Sequence, residues 1–312
     1  MGTPEFAVPT LEHLINSKHE IIAVVTQPDK PKGRKKVITP PPVKVTALEA
    51  GIEVYQPNSV RNEQFISVVK GLNPDMVVTC AYGKILPKEF LDIPPYGTVN
   101  VHSSLLPKYR GAAPINWAII NGESVSGVTT MYTDIGTDTG DILLTEQVDI
   151  MPDMDAEQLH DILKDVGAEL LIKTIEGIEA GTIQRIKQDE QKSSYAPMLT
   201  KELGIINWSK SATEVNCLVR GLTPWPGAFS TFNDLRVRIV KTECCDINNI
   251  IDSANINKAV SGEVVLVDNE GIYVKTGTGV LKITRIKPDS GKEMDAKSFV
   301  NGRGVKPGDC FK

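Results

Sequence analysis

Asn100 and His102 stand two residues apart at the end of an apolar run that starts at Gly97. Side chains at i and i+2 of a strand share a face, so an amide donor and a titratable ring project side by side where strand gives way to loop. In open α/β sheets, ligands collect at the carboxyl ends of the strands. A second polar cluster, Asp134-Ile135-Gly136-Thr137-Asp138-Thr139-Gly140-Asp141, follows the next strand-like run, 127–133. An amide and a protonated imidazole can both point at an oxygen that gains negative charge, which makes an oxyanion site for attack on a carbonyl. A carboxylate such as Asp138 near the ring favours its cationic form and holds its orientation. The same carboxylate, directly or through a water, can take a proton from an attacking amine. No Ser or Cys nucleophile with a base partner is evident, which favours direct transfer over a covalent intermediate. Each residue alone has a plainer reading. His102 could be a satisfied core histidine, and Asp138 a turn residue in a Gly/Thr/Asp loop. The three together point to chemistry.

The elements that must position them alternate in type. Runs 20–26, 75–80 and 97–102 read as buried strands, and 127–133 and 141–149 as further strands. Helical spacing recurs over 58–71, from about 111 to 121, and over 155–180, where Asp155 and Gln158 can cap the start and Gly181 can end the helix. Strands separated by helices predict an α/β domain with a parallel, doubly wound, Rossmann-like sheet over residues 1–186. Residues 187–205 begin with a polar run and read as a linker. Over 206–312, a short helix at 212–222 precedes five closely spaced β runs at 228–232, 236–242, 262–268, 271–276 and 280–287. That pattern predicts a small OB-like β-barrel, a class that includes oligonucleotide binders.

A length of 312 residues suits two domains rather than one core. No apolar run approaches the ~18 residues needed to span a bilayer, and no signal peptide is recognisable. The five cysteines, Cys80, Cys217, Cys244, Cys245 and Cys310, form no Cys-x-x-Cys. They suggest a reducing, cytoplasmic setting and argue against a thiolate zinc site. None of the four histidines sits in metal-ligand spacing with another, so no metal is expected. The net charge of −5 divides unevenly. Residues 1–200 hold 18 Lys and Arg against 26 Asp and Glu, a net of −8, whereas 201–312 hold 16 against 13, a net of +3. A further basic cluster, Lys30, Lys32, Arg34, Lys35, Lys36 and Lys44, lies in a loop rich in Pro and Gly. It reads equally as a solvated surface loop or as a binding element.

Several of these segments together resemble the folate-dependent formyltransferase family. They are Asn100-x-His102, Ser104-Leu105-Leu106-Pro107-x-Tyr109-Arg110-Gly111-Ala112-Ala113-Pro114 and Asp134-x-Gly136-x-Asp138-Thr139-Gly140-Asp141. Gly2-Thr3-Pro4-Glu5-Phe6-Ala7, Thr26-Gln27-Pro28-Asp29-Lys30-Pro31-x-Gly33-Arg34 and Pro224-Trp225-Pro226-Gly227 are similar to the branch of that family that acts on charged initiator tRNA. The resemblance covers essentially the whole chain. It implies transfer of a formyl group from 10-formyltetrahydrofolate to the α-amine of methionyl initiator tRNA; a monomer is expected, although no sequence feature bears on oligomeric state. It further implies that Asn100 and His102 hold and polarise the formyl oxygen while Asp138 assists proton removal. Ser104, Leu105, Leu106 and Pro107 match the family's folate-binding segment, and the folate ring would also lie near 82–87. The loop over 26–44 matches a tRNA-contacting insertion with Arg34 at its key basic position. The basic barrel would add diffuse phosphate contacts that weaken as salt rises.

Three features depart from the family pattern. Its members begin with a buried strand ahead of the Gly-Thr-Pro motif, and here Met1 directly precedes Gly2. The expectation is therefore that the natural protein starts further upstream, since a missing central strand leaves backbone groups unpaired at both neighbours. The loop reads Gly33-Arg34-Lys35-Lys36, where the family places Gly after the Arg. Ser103 stands where Gly or Ala is common. The alternative readings are a sugar-nucleotide amine formyltransferase, which would lack the 27–34 insertion, and a non-catalytic tRNA-binding protein, which would not need Asn100, His102 and Asp138. A Rossmann dehydrogenase is disfavoured because no Gly-x-Gly-x-x-Gly follows a strand.

Overall fold

Short β-branched runs become the sheet that carries Asn100 and His102. The structure, a computed structural model, describes residues 1–33, 35–245, 258–289 and 291–312. They form two compact units, Met1–Pro114 with Val125–Asp149 and His160–Pro197, and Ile115–Ser124 with Ile150–Leu159 and Met198–Lys312.

In the first unit β1 (Val24–Val25) pairs in parallel with β2 (Val54–Tyr55). β3 (Val77–Cys80) pairs in parallel with β4 (Thr98–His102). β5 (Val125–Tyr132) and β6 (Ile142–Asp149) complete the order β3-β4-β5-β6. The predicted all-parallel sheet is corrected here: β4 with β5 and β5 with β6 run antiparallel. For β5 and β6 the cause is their connection, a short loop rather than the crossover of a dozen or more residues that a parallel pair needs; β4 and β5 are joined by residues 103–124, long enough for either sense. Of the predicted strand at 20–26 only Val24–Val25 forms a ladder. Its partner run is bounded by Gly51, at φ +70°, and by Pro57. Between β1 and β3 lie Met1 and Gly2. The Gly2 N–H donates to the Val25 carbonyl at 3.0 Å, and the Cys80 N–H to the Met1 carbonyl at 2.9 Å.

Caps explain where the helices begin. The helix predicted over 58–71 starts at Glu63, because the Asn62 side chain accepts the Gln64 N–H at 2.8 Å, and runs to Leu72. The one predicted from about 111 is confined to Pro114–Ile120. Gly111, at φ +114°, stays extended, and proline suits the first turn. The long helix Ala156–Glu179 opens with Asp155 and Gln158 capping each other's N–H groups at 2.9 and 3.0 Å, as its sequence predicts. Its Gly167 permits close approach to the sheet: a Cβ there would lie 2.9 Å from Val101 Cγ1. That helix therefore packs on the face of β4 that Val99 and Val101 fill, opposite Asn100 and His102.

The second unit is a barrel in strand order β7 (Ala228–Phe232), β8 (Leu235–Cys245), β11 (Val280–Pro288), β10 (Ile272–Lys275), β9 (Val264–Val267), with β12 (Met294–Asp295) on β11. All five predicted β runs are present. Residues 310–312 close it: Cys310 bridges Glu263, Phe311 bridges Phe232, and Thr231 and Lys312 exchange both backbone hydrogen bonds at 2.8 Å. The core comprises Trp208, Val215, Phe232, Ile239, Leu281 and Phe311, among others.

The barrel's helix, Ala212–Gly221, is held by a capping box between Ser211 and Glu214. The Ser211 backbone N–H, then its hydroxyl, then Lys210, pull the Glu214 carboxyl down to about 2. A carboxyl lowered on folding contributes stability that is complete above its unfolded value and is lost as pH falls through its folded value. Glu214→Gln should therefore flatten the fall in thermal midpoint between about pH 4.5 and 2. An unchanged acid slope in the variant would show that this cap does not govern that window.

Candidate active site

β4 ends in Asn100 and His102, and its neighbours fix how each is presented. The Thr79 hydroxyl, opposite on β3, donates to Asn100 Oδ1 at 2.8 Å. The amide nitrogen is then the free end, with no hydrogen-bond partner among the described residues. The His102 side chain is 7% exposed. Its Nε2 lies 3.0 Å from the Tyr109 carbonyl. A carbonyl only accepts, so Nε2 carries a proton. Nδ1 faces Asp138 Oδ2 at 3.6 Å, an ion-pair approach longer than a hydrogen bond. Nδ1 can therefore donate toward that space only in the doubly protonated ring, with the Asp138 carboxylate as its counter-charge.

Asp138 reaches His102 by a route the sequence did not suggest. Because β5 runs antiparallel to β4, the loop leaves the sheet beside the amino end of β4, where the Thr133 N–H donates to the Thr98 carbonyl at 2.8 Å. The loop folds back so that Asp138, at φ +54°, meets the ring. Its Oδ2 also accepts the Gly111 N–H at 2.8 Å. Asp134, the other carboxylate at the head of this loop, has a turn role: it accepts the Gly136 N–H at 2.9 Å and the Thr139 hydroxyl at 2.7 Å.

The Ser104–Pro107 segment is split by burial. The Ser104 hydroxyl donates to the Lys108 carbonyl at 2.7 Å, and its own carbonyl accepts from Thr129 at 2.7 Å. Leu106 packs with Met131 and Ile142. Ser104 and Leu106 thus shape the turn from within, and Leu105 and Pro107 are half-buried. After β3, Tyr82 and Leu86 are buried with Phe65 and Phe90, while Ile85 is exposed. Burial pushes the Tyr82 phenol up to about 12, so it stays protonated. Its carbonyl accepts from Gln27 Nε2 at 2.8 Å and from the Thr3 hydroxyl at 3.3 Å. This ties both the Gly-Thr-Pro and the Thr-Gln-Pro-Asp motifs to the β3 end. A cleft of about 510 Å³ opens there, lined by Thr3, Pro4, Gln27, Pro28, Lys30 and Pro41 among others. Asn100, His102 and Asp138 do not line it.

In the basic loop, Lys44 leaves the predicted cluster. It holds both Asp29 oxygens, at 2.9 and 3.0 Å, and Gln56 at 2.7 Å. Hydrogen bonds from Gln56, then Lys44, lower the Asp29 carboxyl below its ordinary value. This pins the base of a hairpin, Lys30–Lys32 against Val37–Thr39. Lys32, Lys35 and Lys36 are exposed along it. Arg34 lies outside the described residues. Among the described residues no cluster of His, Cys, Asp or Glu could hold a metal ion, and no helix is long and apolar enough to cross a membrane.

Sequence reasoning missed the contribution of residues 186–196. This stretch, expected to begin a linker, is laid onto the first unit. Ile186 bridges Ile142, and Tyr195–Ala196 pairs in parallel with Arg110–Gly111. Arg110, with a fully buried side chain, donates from Nε to Gln188 at 2.9 Å and makes a two-pronged pair with Glu190 at 2.9 Å. The pairing raises the Arg110 guanidinium above its ordinary value and lowers the Glu190 carboxyl. The only available signal was Arg110 itself, an unpaired charge inside an otherwise small and apolar motif.

Residues 1–175 match the formyl transferase family, and 198–304 match the formyl transferase C-terminal domain. The chain belongs to the formyl transferase family. Among formyl transferases it is 51% identical, over 100% of its length and 98% of the relative's, to a protein named methionyl-tRNA formyltransferase from Acetivibrio thermocellus. It is 50% identical, over 99% of its length and 97% of the relative's, to one of the same name from Ruminiclostridium cellulolyticum. A solved formyl transferase, the sugar 3N-formyl transferase WlaRD in the presence of dTDP and 5-N-formyl-THF, superposes with a TM-score of 0.67. That superposition covers 93% of this chain and 97% of WlaRD at 19% identity, a likeness of fold.

Proposed function

We propose that the protein transfers the formyl group of 10-formyltetrahydrofolate to the α-amine of methionyl initiator tRNA, as a monomer in the cytoplasm. One observation carries the reading: the Asn100 amide, the His102 ring and the Asp138 carboxylate converge in a chain half identical, over its whole length, to proteins named methionyl-tRNA formyltransferase. The folate supplies an activated formyl carbon when bound. Exposed Ile85 and half-buried Leu105 and Pro107 offer an apolar surface that suits a flat heterocycle. Asn100 Nδ2 and His102 Nδ1 donate to the formyl oxygen as charge builds on it. Asp138 balances the imidazolium and accepts the proton of the attacking amine, directly or through a water; as the bond from the formyl carbon to the folate nitrogen breaks, that proton passes to the departing nitrogen. Lys30 and Lys32, in the lining of the cleft beside Gln27, and Arg34 contact tRNA phosphates.

The test is a formylation assay with 10-formyltetrahydrofolate as donor and either methionyl initiator tRNA or a dTDP-linked amino sugar as acceptor. Formylmethionyl-tRNA is expected, with no formylated sugar. Formylation of the sugar alone would replace this reading with the sugar-nucleotide one.

A further inference from the structure

The side chains that would act on the substrates are held in place by a strap the reaction itself never touches. Residues 188–196 contact both sides of the His102–Asp138 pair. On one side, the Ser194 hydroxyl accepts the Tyr109 N–H at 2.9 Å, and Tyr109, at φ +61°, offers its carbonyl to His102 Nε2. On the other, Gln188 Nε2 donates to the carbonyls of Asp138 and Gly140, both at 2.8 Å, while its Oε1 accepts from Arg110. Both ends of the buried Gln188 amide are thereby occupied, and its orientation is set by a guanidinium that can only donate. Gln188 grips the backbone of Asp138 where it holds a positive φ, a conformation that costs free energy in any residue but glycine.

We infer that Gln188 is a positioning residue: through the Arg110–Gln188 relay it fixes the loop that aims the Asp138 carboxylate at His102. The inference rests on the formyl-transfer reading. Glutamate at this position keeps the shape and still accepts from Arg110, but an ionised carboxylate cannot donate to two carbonyls. Methionine keeps the volume and removes both functions.

The experiment compares wild type, Gln188→Glu, Gln188→Met, Asp138→Asn and the double variant Gln188→Glu/Asp138→Asn in the tRNA formylation assay. Circular dichroism confirms folding. Gln188→Glu should lower kcat by about 10- to 100-fold, the scale at which a slight misplacement costs rate, with KM for folate within about twofold. The double variant should be no slower than Asp138→Asn alone, because Gln188 acts only through Asp138. If Gln188→Met does not fold, the Glu variant and the double variant decide alone. If the Glu variant also fails to fold, the residue is structural and the inference is overturned. Unchanged kcat in folded Gln188→Glu would also overturn it, as would losses that multiply in the double variant. Absence of product from wild type would instead overturn the formyl-transfer reading.

Discussion

Asp138→Asn should lower kcat for formyl transfer by about 10³-fold, with KM for folate and for tRNA within about twofold. The Asn side chain fits the same space, and its oxygen can still accept the Gly111 N–H that Asp138 Oδ2 accepts at 2.8 Å. The loop should therefore keep its path. What disappears is charge. His102 Nε2 is occupied by the Tyr109 carbonyl, so the ring can serve the substrate only through Nδ1, and Nδ1 can donate only in the cationic ring. In that buried site the carboxylate 3.6 Å away is the counter-charge that makes the cation tenable. The same substitution removes the group placed to accept the amine proton. Two functions fall together, the counter-charge to His102 and the acceptor of the amine proton, and a loss of about 10³-fold lies within the range for general acid–base catalysis. His102→Ala should do equal damage, and the double variant should be little worse than either single one, since the pair acts as a unit. A folded Asp138→Asn enzyme within tenfold of wild type would remove Asp138 from the reaction.

How much of this was legible in the sequence follows from how local each determinant is. Asn100 and His102 share a face because of a two-residue period, which the sequence carries on its surface. The barrel strands and the Asp155–Gln158 cap are likewise local patterns, and both are present. The direction of β5 was misread because the antiparallel sense depends on which strand it lies beside. The route by which Asp138 returns to His102 was not legible for the same reason. The Arg110–Gln188–Asp138 relay joins positions 78 and 50 residues apart. No spacing rule connects them, and a polar run such as 187–194 has the same composition whether it is free chain or a clamp. Lys44 was counted among free cations because its partners, Asp29 and Gln56, meet it only in the folded chain.

Asn100→Asp should be about as damaging as the loss of Asp138, and for a reason that isolates the amide. The Thr79 hydroxyl donates to Oδ1, so the orientation of Asn100 follows from its bonding: oxygen toward β3, nitrogen toward the open face. Aspartate preserves the outline and the bond from Thr79, and the thermal midpoint should barely move. Only the free end changes, from an N–H donor to a carboxylate oxygen facing the place where the formyl oxygen gains charge. Loss of one oxyanion donor costs about 10²–10³-fold in kcat, and a like charge in its place adds repulsion, so a fall of at least 10³ is expected. Asn100→Leu, which removes the donor without adding charge, should fall nearer 10². Thr79→Val leaves the donor in place and removes what orients it. That variant should lose about tenfold in kcat, and Thr79→Ser, which restores the hydroxyl, should recover most of it. If Asn100→Asp and Asn100→Leu lose equal rate, the site does not gather negative charge beside Asn100, and the amide serves shape alone.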